Sequence, residues 1–176
     1  MKIKCNKTNP PLGGLIVAEH VKAVLKTPLE VSWGDETTVE NVQCKNSNDV
    51  ARAIAKLFFQ QLYGSTAIET TEIDHWLTFA LGPLSSKNDF NNGINILNKA
   101  LGPVTYLVSK RLTIADFIIF SALYVSRQWQ DLLLNKSAPV NVLRWYNFIN
   151  SQEAVKNALN SLTTEMRAAL TPAEKK

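Results

Sequence analysis

Leu-Thr-Ile-Ala-Asp-Phe-Ile-Ile-Phe-Ser-Ala-Leu-Tyr-Val-Ser, residues 112–126, is the most informative segment of this chain. Thr113 and Asp116 stand three residues apart before an apolar run, which is the spacing of a capping box with Asp in place of Glu. In such a box each side chain accepts a hydrogen bond from the backbone amide of the other residue. The residues after this pair are apolar on nearly every side of a helix, and such a helix lies at the centre of a globule. We therefore predict a central buried helix with Thr113 and Asp116 as its structural cap.

The composition is ordinary for a globular protein. The chain has 176 residues, of which 45% are hydrophobic and 19% are charged, and it contains no run of 18 apolar residues. Its first residues, MKIKCNK, lack the apolar stretch of a secretory signal, so we expect a cytosolic protein with no membrane contact. The net charge is +4, but the Lys and Arg residues are scattered, which argues against direct tRNA or other nucleic-acid binding.

Residues that usually carry metal or redox chemistry are few. Cys5 and Cys44 are too few for a disulfide scaffold and lie in apparent strands, so we expect buried free thiols. His20 and His75 are far apart in sequence with no Cys beside either, which favours structural or surface histidines. We predict neither a metal site nor a bound cofactor.

Hydrophobic periodicity divides the chain into two parts. The first part reads βαββα, with strands over 2–6, 29–33 and 38–44 and helices over 13–24 and from Ser47 or Asn48 to about 60. This lobe, residues 1–62, is too small to stand alone and is expected to pack against the rest of the chain. Residues 63–165 read as an all-helical domain, and 166–176 as a tail or linker. The helices are predicted at 66–84, 89–101, from 113 onward, 139–150 and 152–162, with an extended link at 104–108.

A small α/β lobe joined to an all-α bundle resembles the glutathione S-transferase fold, here with an incomplete thioredoxin-like lobe. Three segments carry the resemblance and agree with it in order and spacing. They are NSNDVARAI at 46–54, LYG at 62–64 and LTIAD at 112–116.

The chain is most similar to one branch of that family, the transferase-like domains of the glutamyl-prolyl-tRNA synthetases of animals. The segments NPPLG at 9–13, TEIDHWL at 71–77, TYLV at 105–108 and APV at 138–140 carry this similarity. The PPLG and IDHW parts of these segments favour this branch over the related domains of an elongation factor subunit and of methionyl-tRNA synthetase.

This resemblance implies a non-catalytic module. It would dock the synthetase into the cytosolic multi-tRNA-synthetase complex through heterodimers with transferase-like domains of scaffold subunits and of methionyl-tRNA synthetase. A homodimer of the isolated domain stays open. Attachment of glutamate and proline to their tRNAs, with ATP and Mg, would belong to domains outside this chain.

An autonomous glutathione-binding protein or transferase is the main alternative. That chemistry needs a hydroxyl or thiol after the first strand, for which Thr8 and Cys5 are weak candidates. It also needs a cis-proline before the third strand, but Thr37–Cys44 contains no proline, and a non-proline cis bond costs about 2.5–4 kcal/mol. Ser47 could meet a glutathione carboxylate, yet Ser is also an ordinary helix cap. We therefore predict no catalytic residue. A third hypothesis is that the chain is an appendage that adds affinity for tRNA, in which case its binding would depend steeply on salt concentration.

Two surfaces are candidates for partner binding. The first joins the helix near 48–60 to the helix near 65–79, and one of the adjacent Phe58 and Phe59 is expected to be exposed there. The second joins the helix after Pro139 to the loop at 85–89, because in the synthetase family an arginine on that helix stacks on its counterpart in the partner. The alternative for every charged member is a solvated surface residue. The predicted partner-binding residues are Arg52, Lys56, Phe58, Glu69 and Glu72 on the first surface and Lys87, Asp89 and Arg144 on the second.

Overall fold

A computed structural model describes residues 1–170, the side chain of Ala169 excepted. A four-stranded sheet with strand order β2-β1-β3-β4 forms the first lobe, with β1 parallel to β2 and β3 antiparallel to both of its neighbours. Ile3 and Cys5 of β1 point to the helices and are buried, whereas Lys2 and Lys4 are exposed on the other face. The elements are β1 (Lys2–Asn6), α1 (Leu12–Leu25), β2 (Glu30–Gly34), β3 (Thr38–Val39), β4 (Val42–Gln43) and α2 (Ser47–Phe58).

The predicted single strand at 38–44 is wrong, because two short strands occupy this segment. Glu40 and Asn41 both have positive φ, 46° and 70°. Two consecutive residues of this kind form the tight turn that suits a β-hairpin, and Asn tolerates it well. The lobe is therefore βαβββα, and the two consecutive polar residues Glu40 and Asn41 interrupt the apolar/polar alternation at the turn.

A short 3-10 helix, Gln60–Tyr63, leads from the first lobe to the helical part. α5 lies at the centre, packed against α1, α2, α3 and α7, and its residues from Ile114 to Ser121 are all buried. The predicted central helix is confirmed. The helices are α3 (Ala67–Leu81), α4 (Phe90–Ala100), α5 (Ile114–Val125), α6 (Arg127–Leu134), α7 (Val140–Asn150), α8 (Glu153–Asn160) and α9 (Thr164–Leu170).

Three local predictions differ from the structure in this part. Residues 105–108 form a run of bends rather than an extended link. α6 is an additional helix, too short for its apolar period to stand out, and the Ser126 hydroxyl caps it by accepting from the amide of Trp129 at 3.3 Å. The predicted tail is helical in α9 as far as Leu170, because Met166 is buried and supplies an inward anchor. The rest of that tail, 171–176, lies outside the described residues.

Candidate docking surfaces

The capping box of α5 is present and does more than end a helix. One carboxylate oxygen of Asp116, Oδ2, accepts from the amide of Thr113 at 3.0 Å and from its hydroxyl at 3.2 Å. The other, Oδ1, accepts from the amide of Leu107 at 3.0 Å and from the indole N–H of Trp145 at 3.2 Å. Complete burial raises the pKa of the Asp116 carboxyl to about 6, although these hydrogen bonds act in the opposite direction. The carboxylate therefore joins α5, the segment before it and α7.

Arg144 lies on the exposed side of α7 and is fixed to the end of α4. Its Nη2 donates to the carbonyl oxygens of Leu101 at 2.6 Å and of Val104 at 3.2 Å. Carbonyl groups at the end of a helix lack intrahelical partners and carry partial negative charge, so a guanidinium is well placed there. These two contacts hold the planar group in one orientation.

A hollow of about 220 Å³ opens beside this guanidinium, lined by Val104, Thr105, Arg144, Trp145 and Phe148. Val140, Arg144 and Phe148 follow one another at four-residue spacing, which puts them on one side of α7. Val140 is 73% exposed and Phe148 is 37% exposed. The α7 surface, defined as this hollow together with Val140, is therefore an apolar area with an oriented cation at its centre.

Lys87 and Asp89 of the second predicted surface lie at the other end of α4. The carbonyl of Lys87 accepts from the side chain of Gln128 at 2.9 Å, and Asp89 accepts from the hydroxyl of Ser86 at 2.8 Å. An 11-residue helix is about 16 Å long, so roughly that distance along α4 separates them from the contacts of Arg144. The structure does not bring the loop and Arg144 together as close neighbours, and a role for the loop in binding stays a prediction.

On the first predicted surface the charged side chains are largely satisfied within the chain. Nη2 and Nε of Arg52 donate to Asp74 Oδ1 at 2.8 and 3.0 Å, and the Tyr63 hydroxyl donates to Asp74 Oδ2 at 2.7 Å. The ammonium of Lys56 lies 4.9 Å from the centre of the Tyr63 ring. This α2–α3 surface therefore offers a pre-formed network rather than free charges.

Glu69 belongs to a clamp between α3 and the segment before α5. Both of its carboxylate oxygens accept from Arg111, at 3.0 and 2.8 Å, and Oε2 also accepts from the amide of Ser65 at 2.7 Å. The hydrogen bonds from Arg111 and Ser65 lower the pKa of the Glu69 carboxyl to about 2. Glu72 is exposed on the same helix.

The expectation that Phe58 or Phe59 is exposed is wrong. Both rings are half-buried and pack against the core. They can do so because α2 ends at Phe58, and Phe59 leaves the helix with φ −151° and ψ 73°. Leu57, 54% exposed, is the apolar side chain that α2 presents to solvent near its end.

The comparisons with known proteins agree with this architecture. No protein-family model matches the chain. The chain is 38% identical over its whole length to the bifunctional glutamate/proline–tRNA ligase of Drosophila melanogaster and 37% identical over 86% of its length to that of Mus musculus, but it spans only 10% of either relative. Among solved structures it matches a theta class glutathione S-transferase of Xanthomonas axonopodis with a TM-score of 0.69 at 14% identity, covering 92% of this chain and 98% of the other.

The chain has a glutathione S-transferase-like fold. It also matches, with a TM-score of 0.72 and 16% identity over 94% of both chains, a protein solved in work on yeast aminoacyl-tRNA synthetase complex formation. The aminoacyl tRNA synthase complex-interacting multifunctional protein 2 of Cricetulus griseus is 27% identical to it over 80% of this chain and 41% of that protein. The predicted fold class and the predicted resemblance to glutamyl-prolyl-tRNA synthetases are confirmed.

In this transferase-like domain Asn6 organises the loop where a transferase would place its reactive hydroxyl. Asn6 Oδ1 accepts from the hydroxyl and the amide of Thr8, both at 2.8 Å, and its Nδ2 donates to the carbonyl of Asp35 at 2.6 Å. Burial raises the pKa of the Cys5 thiol to about 12, so this thiol stays protonated. Of the two predicted candidates for thiolate chemistry, Thr8 thus donates its hydroxyl to Asn6 and Cys5 is a buried thiol.

Ser47, the predicted contact for a glutathione carboxylate, is also hydrogen-bonded within the chain. Ser47 Oγ accepts from the amide of Gly14 at 3.0 Å, which ties α2 to α1. The cap of α2 is the side chain of Asn46, which accepts from the amide of Asp49 at 3.0 Å. Within residues 1–170 of the transferase-like domain there is no cis peptide bond, no helix long and apolar enough to cross a membrane, and no group of three potential metal ligands.

Several members of these surfaces were missed from the sequence. Val140 and Phe148 had a usable signal, because apolar residues four positions either side of Arg144 define an exposed helical stripe. Asp74 and Tyr63 had none, since they meet Arg52 only after the chain has folded back over 22 and 11 residues.

Proposed function

We propose that this transferase-like domain is a protein–protein interaction module that docks a glutamyl-prolyl-tRNA synthetase into a multi-synthetase complex. Its partners would be transferase-like domains of scaffold subunits or of methionyl-tRNA synthetase, in the cytosol. Supporting this, its relatives include bifunctional glutamate/proline–tRNA ligases and a complex-interacting multifunctional protein. Ligation of amino acids to tRNA, with its need for ATP and Mg, would reside in the nine-tenths of those relatives that this chain does not span.

The α7 surface is the observation that carries the proposal. An arginine fixed by two carbonyl groups loses little further freedom when it is covered, so less entropy opposes binding. Its planar, weakly hydrated guanidinium can stack on a flat group of the partner at a smaller desolvation cost than an ammonium. Val140 and Phe148 would supply the apolar contact around this centre, the usual arrangement of a binding hot spot.

The first-lobe geometry supports the absence of transferase catalysis. The hydroxyls of Thr8 and Ser47 are engaged by Asn6 and Gly14, and the Cys5 thiol is buried and protonated. A hollow of about 370 Å³ does remain at this position, lined in part by Asn46 and Cys44, so weak binding of glutathione is the second candidate function. Thermal unfolding with and without millimolar glutathione tests it, and an unchanged midpoint is the expected result.

Isothermal titration with a complex-interacting multifunctional protein 2 tests the docking role. Arg144→Ala is expected to weaken binding more than tenfold, about 1.4 kcal/mol, and Arg144→Lys nearly as much because lysine cannot stack. Lys156→Ala, an exposed cation on α8, is the matched control and should bind like the wild-type chain. If Arg52→Ala weakens binding and Arg144→Ala does not, docking uses the α2–α3 surface and the assignment to α7 is wrong.

A further inference from the structure

We propose that Asp116 is a positioning residue for docking, in addition to its role as a helix cap. Its Oδ1 atom holds Leu107 and Trp145 in the places from which they shape the α7 surface. This inference rests on the proposed function and adds to it a residue that no partner can touch, since Asp116 is completely buried.

The two oxygens of the carboxylate have separate tasks. Oδ2 alone completes the cap, because both of its donors, the amide and the hydroxyl, belong to Thr113. Oδ1 receives no donor from the helix terminus and is bonded instead to Leu107 and Trp145, which come from two other parts of the chain. Capping therefore leaves the geometry of Oδ1 unexplained, and positioning accounts for it.

The donors to Oδ1 lie directly beneath the docking surface. Trp145 lines the hollow and is only 2% exposed, so its ring forms part of the floor. Leu107 ends the short segment whose Val104 and Thr105 line the same hollow. Tyr106, beside Leu107, packs edge-to-face on Phe148 with ring centres 5.8 Å apart. A shift of the Leu107 amide would therefore move one wall of the hollow, and a shift of the Trp145 indole would move its floor.

The segment from Val104 to Leu107 has no helix or strand of its own to fix it. One hydrogen bond at each end ties it to the helices, from Arg144 to the carbonyl of Val104 and from the amide of Leu107 to Asp116. Arg144 is itself a contact residue of the proposed surface. Of the two residues that tie this segment to the helices, Asp116 is therefore the one that anchors the wall from inside the protein. Binding groups held by an inner layer of this kind lose precision when the layer is removed.

The experiment compares Asp116→Ala with Ile16→Ala, a fully buried change in α1 that destabilises the domain away from the α7 surface. Both variants are measured under conditions in which they are folded. In the isolated domain Asp116→Ala should speed hydrogen exchange at the Leu107 amide and the Trp145 indole at least tenfold more than Ile16→Ala. Its affinity for the complex-interacting multifunctional protein 2 should fall about tenfold, while that of Ile16→Ala stays within twofold of wild type.

The proposal is overturned if Asp116→Ala and Ile16→Ala show equal exchange at these two groups, or if both bind the partner alike. Should Asp116→Ala not fold, Asp116→Asn is judged by the same two readouts. If the wild-type chain does not bind the probe at all, the proposed docking function fails. The exchange rates in the isolated domain then still decide whether Asp116 positions Leu107 and Trp145.

Discussion

Asp116 gives the domain a pH dependence of stability with an unusual sign. Its pKa is about 6 in the folded chain and near 3.8 when solvated, so between these values the folded state binds more protons than the unfolded state. Stability from this group is therefore greatest at low pH and falls as the pH rises through 3.8 to about 6. A pKa difference of this size corresponds to about 3 kcal/mol, of which about 2 kcal/mol is lost between roughly pH 4 and pH 7.

Urea unfolding of the wild-type chain and of Asp116→Asn, across this pH range, isolates the effect. Every other titrating group, Glu69 included, is present in both chains. The contributions of these groups therefore cancel in the difference between the two unfolding free energies. The wild-type chain should lose about 2 kcal/mol relative to Asp116→Asn on going from pH 4 to pH 7. A constant difference, or one that changes in favour of the wild-type chain, would show that burial does not outweigh the hydrogen bonds to this carboxylate.

Three further predictions concern the core, the surface network and the thiols. Phe120→Ala should cost about 3–5 kcal/mol in chemical denaturation because the ring is fully buried in α5, and a loss below about 1 kcal/mol would contradict its central place. A double-mutant cycle on Arg52 and Asp74 should give a coupling of about 0.2–1 kcal/mol that shrinks with added salt, since both side chains are partly exposed; a coupling insensitive to salt would argue against the ion pair. Iodoacetamide at neutral pH should leave Cys5 unmodified in the native chain and label it in urea, as peptide mapping by mass spectrometry can show, because its pKa is about 12.

Local sequence patterns predict those elements whose structure is determined by a few consecutive residues. The spacing of Thr113 and Asp116 and the all-round apolar run after them identified α5, because a cap and a buried helix are both local properties. The prediction of a single strand overlooks the hairpin turn, although Glu40 and Asn41 are two consecutive polar residues that interrupt the alternation between Val39 and Val42. The sequence does not predict α9, because the burial of its residue Met166 follows only from the folded core.

The sequence predicts the docking surfaces less completely than the fold. Arg144 was named through a family resemblance, but its partners in the chain, Leu101 and Val104, are more than 39 residues away and no local pattern links them. For Phe58 and Phe59 the prediction of an exposed ring is wrong for a local reason. Adjacent residues within a helix face apart, but this rule does not apply where the helix ends between them. Asp116 was correctly named as a cap, yet its bonds to other elements required the folded chain.

Binding of a similar domain through the α7 surface is the proposed role of this transferase-like domain. Hydrogen exchange measured by mass spectrometry on the chain, alone and saturated with a complex-interacting multifunctional protein 2, shows which surface is covered on binding. Peptides that cover residues 104–107 and 140–148 should become protected on binding, while those that cover 49–63 of the α2–α3 surface should not. Protection confined to 49–63, or no protection anywhere despite saturation, would exclude binding through the α7 surface.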